Sequence, residues 1–293
     1  MMRASIVEPG PIMSWSVLLL ILAAAALHAA WNTGVKAAGT PALATARLCL
    51  GGMIIAVLAL PFLPQPALAA WPFLIASTIV HVAYFALTAA AYARVDLSIA
   101  YPMMRGGGVM VTTLVSPLVF ADSLPPLGLG GVLVVVVALA GLAATAGQRA
   151  FGPRGLGIVT ANALVIGAYT VLDGLGARAS GTPVAYTLWV FALGALGNLG
   201  LLALTEGRAF LAQLGRARDL GLGIAGACAS VGSYGLVLTA MTLAPVALVA
   251  ALRETSLLFA TGFAALLLHE KVGGRRVAAA CAVAAGAVMI KLA

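Results

Sequence analysis

One feature limits what this chain can become more than any other. Apolar runs of about 20 residues follow one another along it, separated by short polar breaks. A run of that length crosses a hydrocarbon core of ~30 Å as a helix, and a helix satisfies its own backbone hydrogen bonds inside lipid. Helices are therefore predicted near 14–35, 41–60, 71–93, 97–120, 126–147, 155–177, 183–204, 219–241, 246–268 and 273–292. The longest connection, Glu206 to Arg218, leaves no room for a soluble domain. Only 8% of the 293 residues are charged, against about a quarter in soluble domains. The expected class is an all-α integral membrane protein of ten transmembrane helices.

The formal net charge of +8 raises the possibility of a polyanion partner, but the cations are scattered over short loops. Membrane topology accounts for them better, so a lipid bilayer and no nucleic acid is expected. Cys49, Cys228 and Cys281 stand alone inside apolar runs, which excludes a zinc site, disulfide framework or redox pair from the expectation. The stretch "GLGIAG" at 221–226 has the dinucleotide fingerprint spacing without the strand or the later acid, and reads as helix packing. "HEKVG" at 269–273 lacks the second histidine of a zinc protease. No nucleophile, base and orienter group together, and no ATP site is encoded. Neither an enzyme nor a primary pump is expected, and no cofactor or metal. The opening "MMRASIVEPGPIMSW" has the basic start of a secretory signal peptide, but Pro9-Gly10-Pro11 interrupts it and the duplication described next makes its apolar run structural.

"KAAGTP" at 36–41 recurs as "RASGTP" at 178–183, an offset of 142, each after the first span of its half. The chemistry is a helix stop and restart: glycine closes one helix, threonine caps the next and proline takes its first position. Thr45 and Gly52 match Thr187 and Gly194 at that same offset. Later the offset becomes 148, placing Arg105 on Arg253 and Asp122 on Glu270. Five spans are thus read as duplicated, residues 1–150 and 151–293. Because five is odd, the second copy lies inverted in the membrane. Connections after the odd-numbered spans carry Lys36, Arg94, Arg149, Arg154, Arg208, Arg216, Arg218, Lys271, Arg275 and Arg276; the other side offers only Arg3, Arg178 and Lys291. Ten cations against three set the first side in the cytoplasm, so both termini are expected outside a cell (inner) membrane. Inverted repeats around a central cavity are a transporter architecture.

"LSIAYPMMRGGGVMVTTLVSPLVFAD" and "APVALVAALRETSLLFATGFAALLLHE", with the small-residue span "RRVAAACAVAAGAVMI", resemble the EamA-type transporters of the drug/metabolite transporter superfamily. The resemblance covers the chain as two copies. The first departs from the pattern with Asp122 in place of the usual glutamate and with Pro125-Pro126 just after. It implies a secondary transporter or facilitator of metabolites or amino acids, usually an exporter, working by alternating access. The aromatic-amino-acid exporters are the nearest relatives it points to.

Polar residues within the spans are the candidate site. Ser77, His81, Tyr84 and Thr88 follow i, i+4, i+7, i+11 and form one stripe on the third span. A stripe of that kind faces a cavity or a helix–helix seam, since lipid offers no partners. Tyr101, Arg105, Gly108 and Thr112 share a face of the fourth span, with Arg105 about 12 Å in at 1.5 Å per residue. Arg105 either snorkels to the cytoplasm or lines the cavity. Gly106, Gly107 and Gly108 permit close helix approach or local unwinding. Arg253-Glu254-Thr255-Ser256 is the counterpart on the ninth span, and Glu254 can pair with an arginine, carry a proton or meet an amine. Asn162, Tyr169 and Tyr234 add polar groups on the sixth and eighth spans. Asp173 reads as reaching the interface from a helix end, and Trp31, Tyr186 and Trp189 as interface aromatics. The binding set expected for a small solute is Ser77, His81, Tyr84, Thr88, Tyr101, Asn162, Tyr234 and Glu254. Arg105, Gly107 and Arg253 are the expected gates, Arg105 toward the cytoplasm and Arg253 toward the outside. His81, Tyr84 and Tyr101 suit a planar amphipathic solute, such as an aromatic amino acid. A cationic-drug efflux protein and a sugar or nucleotide-sugar carrier are the rival functions, and a monomer is the expected unit.

Overall fold

Wherever the sequence supplies a long apolar run, the chain is helical. The computed structural model describes residues 13–37, 41–144, 152–214, 217–267, 269 and 272–293. In order come α1 (Trp15–Ala37), α2 (Pro41–Ala59), α3 (Trp71–Tyr92), α4 (Leu97–Phe120), α5 (Pro126–Ala144) and α6 (Pro153–Ser180). They are followed by α7 (Pro183–Ala212), α8 (Ala217–Leu243), α9 (Val246–Arg253), α10 (Ser256–Leu266) and α11 (Gly274–Leu292). Two short 3₁₀ turns, Leu60–Phe62 and Leu68–Ala70, join α2 to α3. With α9 and α10 taken together, nine spans among the described residues are long and apolar enough to cross a membrane. The tenth, α11, has 19 residues and carries Arg275 and Arg276 in its first turn and Lys291 in its last. At 1.5 Å per residue it is about 28 Å long, enough to match a hydrocarbon core.

The bundle is apolar outside and polar within, the reverse of a soluble fold. On α4, Arg105, Thr112, Thr113 and Ser116 are buried, whereas Leu114 and Leu118 are 65% and 85% exposed. Lipid offers leucine the same apolar surroundings as a core and offers a hydroxyl nothing, so the polar face turns inward. The hydroxyls of Thr112 and Thr113 return to the carbonyls of Gly108 and Val109 one turn back. The most central element is α9, all eight of whose residues are buried.

The ninth predicted span is not one helix. It breaks between Arg253 and Ser256, where Glu254 N and Thr255 N donate to the carbonyls three residues back, those of Ala251 and Leu252. The Thr255 hydroxyl also donates to Leu252 O at 2.7 Å. Neither proline nor glycine marks the joint, which is why the apolar periodicity concealed it. The glycines of α4 do the opposite of what unwinding requires. That helix runs unbroken through Gly106–Gly108, and a Cβ on Gly107 would stand 2.7 Å from the Ala163 Cβ of α6. A Cβ on Gly108 would likewise fall on Ile166. The triplet is a close helix crossing. In "GLGIAG", Gly223 serves the same purpose, since its Cβ would stand 2.8 Å from the Arg47 Cβ on α2.

The "GTP" punctuation holds in its second copy. Gly181 closes α6 at φ +67° and Pro183 opens α7. The capping oxygen differs from the expected one: Ser180 Oγ accepts from Thr182 N at 3.1 Å, while the Thr182 hydroxyl has no partner. In the first copy, residues 38–40 lie outside the described residues, as do residues 1–12, Arg149, Arg216, Glu270 and Lys271. The predicted match of Asp122 with Glu270 is thus seen on one side only. Asp122 itself clasps Arg178 through both carboxylate oxygens at 3.2 Å and accepts from Val246 N. Arg178 also donates to the carbonyls of Met241 and Ala244, so one guanidinium ties together the ends of α4, α6 and α8 and the start of α9.

Helix packing falls into exchangeable pairs. Helix α3 lies along α6 and α1 along α8; α3 touches α7 and α2 touches α8. Helix α4 packs on α5 and α6, while α10 packs on α11 and α1. Replacing each of the first five spans by the fifth span after it, and the reverse, turns every one of these contacts into another of the set. One imbalance stands out. Helix α8 also touches α6 and α7, and α3 has no equally extensive contact with α1 or α2.

Candidate functional site

The charged groups buried in the bundle meet where α4 crosses the joint of the ninth span. Arg105 points across α4 to Glu254, its Nε donating to Oε2 at 3.2 Å and its terminal nitrogen to Oε1. The geometry is the two-pronged fit of guanidinium to carboxylate. Arg105 is 6% exposed and Glu254 3%, so Arg105 does not snorkel to the cytoplasm. Of the three roles open to Glu254, the pair with an arginine is the one formed. Arg253 is also buried and lays its guanidinium over the Tyr234 ring of α8, 5.7 Å from the centroid. Arg105, Arg253 and Glu254, with Gly108, Thr112 and Thr170, line one narrow cleft of ≈ 10 Å³, the room of about one water. The two arginines, expected at separate gates, therefore share a single constriction.

The second cluster adjoins it through Tyr234. Asp173 of α6 has no exposed surface, although it was expected at the interface. The error came from the helix end: α6 continues to Ser180, and Asp173 sits two turns inside it. Its Oδ1 accepts from the Tyr186 phenol at 3.1 Å and its Oδ2 from the Tyr234 phenol. Tyr186 is accordingly fully buried and not an interface aromatic. Gly176 makes the room, for a Cβ there would collide with the Tyr186 ring. His81 of α3 directs Nε2 at Asp173 Oδ2 from 4.0 Å, and its Nδ1 lies 3.1 Å from the Ser77 hydroxyl and 3.0 Å from the Ser77 carbonyl.

Aromatic rings close around this acid. Tyr169 lies 4.3 Å from the His81 ring, centroid to centroid, and Tyr84 meets Tyr169 edge-on at 5.5 Å. Tyr234 meets both His81 and Phe191 edge-on. The whole stripe of α3 thus turns to α6. Ser77 is fully buried, Tyr84 and His81 keep partial exposure, and Thr88 accepts from Asn162 Nδ2 at 2.9 Å. Asn162 also reaches Met104 Sδ, and its carbonyl oxygen is buried without a partner. Tyr101 is half-buried one turn before Arg105 on the same face of α4. Gly107, an expected gate, lies at the α4–α6 crossing against Ala163. Trp189 is a donor to Gln65 at 2.9 Å and packs on Trp71 near the membrane end of α7. Trp31 stands against His28 with its indole N–H buried and unpaired.

A larger hollow of ≈ 490 Å³ lies elsewhere, between α2 and α7, lined by Met53, Val57, Leu60, Trp189, Leu193 and Leu196. Val57 and Leu196 are about three-fifths exposed, so it opens on the lipid face and offers a polar solute little. No group of His, Cys, Asp and Glu among the described residues could hold a metal ion.

Residues 153–292, the stretch from α6 to α11, match the EamA-like transporter family. That match supports the drug/metabolite transporter superfamily of the sequence resemblance. Over almost its whole length the chain is similar to a solved crystal structure, with a TM-score of 0.71 and 18% sequence identity. The alignment covers 96% of this chain and 98% of the other, and the likeness is one of fold. No curated protein matches the sequence.

Proposed function

We propose that the chain is a secondary transporter or facilitator that moves amino acids with aromatic or other apolar side chains, and exports them, by alternating access between two inverted five-helix halves. The observation that carries this reading is the buried Arg105–Glu254 pair with Arg253 one residue away, beside rings from α3, α6 and α8. A solute bearing a carboxylate and an amine replaces the internal pair by like chemistry, carboxylate to arginine and amine to Glu254. An aromatic side chain then finds the faces of Tyr84, Tyr169 and Tyr234. A carrier needs a site that an occupant opens and whose own groups close it when empty, and a pair spanning the two halves meets that need.

The lopsided packing supports the alternation. The contacts of α8 with α6 and α7 tighten one half, and exchange of the two halves transfers that closure to α3 with α1 and α2. The Arg178 clasp is part of the α8–α6 contact, since Arg178 of α6 donates to the carbonyl of Met241 on α8.

Purified protein in liposomes tests the reading with labelled phenylalanine, a cationic dye and a sugar phosphate in parallel. Phenylalanine flux at least ten times that of empty liposomes, competed by other apolar amino acids, is the expected result. Flux of the dye alone makes the chain a cation efflux protein; flux of the sugar phosphate alone makes it a sugar carrier.

A further inference from the structure

The solute site described above leaves one buried ionised group without a task. Asp173 is fully enclosed, mid-bundle, and joined to side chains of three other helices. Burying a carboxylate is costly unless it is paired and hydrogen-bonded. Two phenols donate to it, one to each oxygen, and a carboxylate accepts both without needing to donate in return. Among the described residues its negative charge still has no full cationic partner. Both buried arginines are engaged elsewhere, Arg105 with Glu254 and Arg253 over the Tyr234 ring.

The remaining candidate is His81, and its hydrogen bonds decide how it serves. Nδ1 lies 3.0 Å from the Ser77 carbonyl, which only accepts, and 3.1 Å from the Ser77 hydroxyl, which can donate or accept. We take the tautomer with the hydrogen on Nδ1, the one in which the carbonyl contact is a hydrogen bond. The other nitrogen, Nε2, faces Asp173 Oδ2 at 4.0 Å. In the neutral ring that nitrogen presents a lone pair to a carboxylate, and like meets like. One added proton on Nε2 makes the ring an imidazolium and turns repulsion into an ion pair. The separation exceeds a hydrogen bond by about 1 Å, so protonation draws α3 toward α6. His81 is 14% exposed, through which a proton arrives from the space between the helices.

We propose that His81 and Asp173 form a single-proton site whose loading closes α3 on α6, and that this proton is exchanged for, or moved with, the solute. The second half of the proposal rests on the transport reading above; the first does not. The proton adds to His81 Nε2 and leaves from it, changing the charge of the pair from −1 to 0. The other ionisable groups that face it are phenols and the arginine system. Tyr84 stands on α3 itself, Tyr169 on α6, Tyr186 on α7 and Tyr234 on α8. Tyr101 and Arg105 come from α4, and Arg253 and Glu254 from the joint. Phenols stay protonated across the range in which histidine titrates, and the arginines stay charged.

Two measurements test it. The chain has three histidines, so nitrogen NMR of histidine-labelled protein separates them. On acidification, His81 should pass from an Nδ1–H ring to one carrying both protons. In Asp173→Asn, under the conditions that load the wild type, the Nε2 proton should be at least tenfold less populated. A thermal melt in detergent shows that the variant is folded, and His81→Gln should remove the same signal. An Nε2–H neutral ring, or an unchanged His81 in Asp173→Asn, overturns the site. In liposomes loaded with a pH dye, a phenylalanine gradient should move protons, and the number moved per solute should fall to zero in Asp173→Asn. Solute flux without a pH change overturns the coupling and leaves the transport reading intact. If wild-type flux itself is absent, the transport reading fails, and the NMR titration still decides the proton site.

Discussion

At the scale of single residues, the molecule turns on a buried guanidinium and a buried carboxylate. Removing one partner of a buried pair strands the other, at a cost of about 3–5 kcal/mol, whereas replacing both by apolar groups is often close to neutral. Arg105→Ala is therefore expected to lower the melting temperature sharply in detergent, and Arg105→Met with Glu254→Leu to recover most of the loss. Transport should stay absent in both, which separates folding from function; a double variant as unstable as the single one refutes the pairing. The residue-level reading of the sequence was strongest where spacing carries information. The stripe Ser77, His81, Tyr84, Thr88 does lie on one face of α3, and Arg105 does face inward. It failed at Asp173, because depth was judged from a helix end placed about three residues too early. It failed at Tyr186 because a tyrosine near a span end resembles an interface anchor, and its partner lies thirteen residues back on another helix. Pairing across helices leaves no mark in periodicity.

At the scale of elements, glycine and its absence tell opposite stories in the two fourth spans. Helix α4 has three consecutive glycines and stays continuous; its counterpart has none between Val246 and Ser256 and breaks. The glycines are spent on proximity. Gly107→Ala should therefore push α4 off α6, costing about 1–3 kcal/mol as overpacked cores do. Adding Ala163→Gly should restore the lost stability, because Ala163 Cβ is the only atom a Cβ at 107 would meet within 4 Å. Thermal melts of the single and double variants decide it, and additive effects would mean the two positions do not touch. The larger Gly107→Leu should abolish flux. Helix positions were legible from hydropathy, since length and apolarity dictate spanning helices. The joint was not, because a tightened turn at Glu254–Thr255 keeps the backbone near helical angles and needs no breaker residue.

At the scale of the whole molecule, the charge asymmetry of the loops is the ground on which we propose that the ends of the odd-numbered spans face the cytoplasm. With Cys49, Cys228 and Cys281 replaced, cysteines at Ser123 and Gln213, both exposed, should label from opposite sides of intact cells. Labelling of position 213 by an impermeant reagent from outside would invert the orientation. The duplication is a reading of two short offsets in the sequence, and the exchange of helix contacts is consistent with it. The imbalance between the halves was not readable, because two copies of one motif carry no record of which is closed. The joint beside Glu254 gives that imbalance a mechanical meaning. A continuous rod pushed at one end tilts as a unit and delivers the displacement undiminished at the other. A hinged rod absorbs part of the push at the hinge. On the transport reading proposed above, motion begun at the α4 end is carried through the span, which stays helical past Pro102 and Pro117, whereas motion begun at the α10 end is partly absorbed at the joint. On that reading the molecule has a stiff stroke and a soft one, and the force to empty the site is transmitted more faithfully in one direction than in the other.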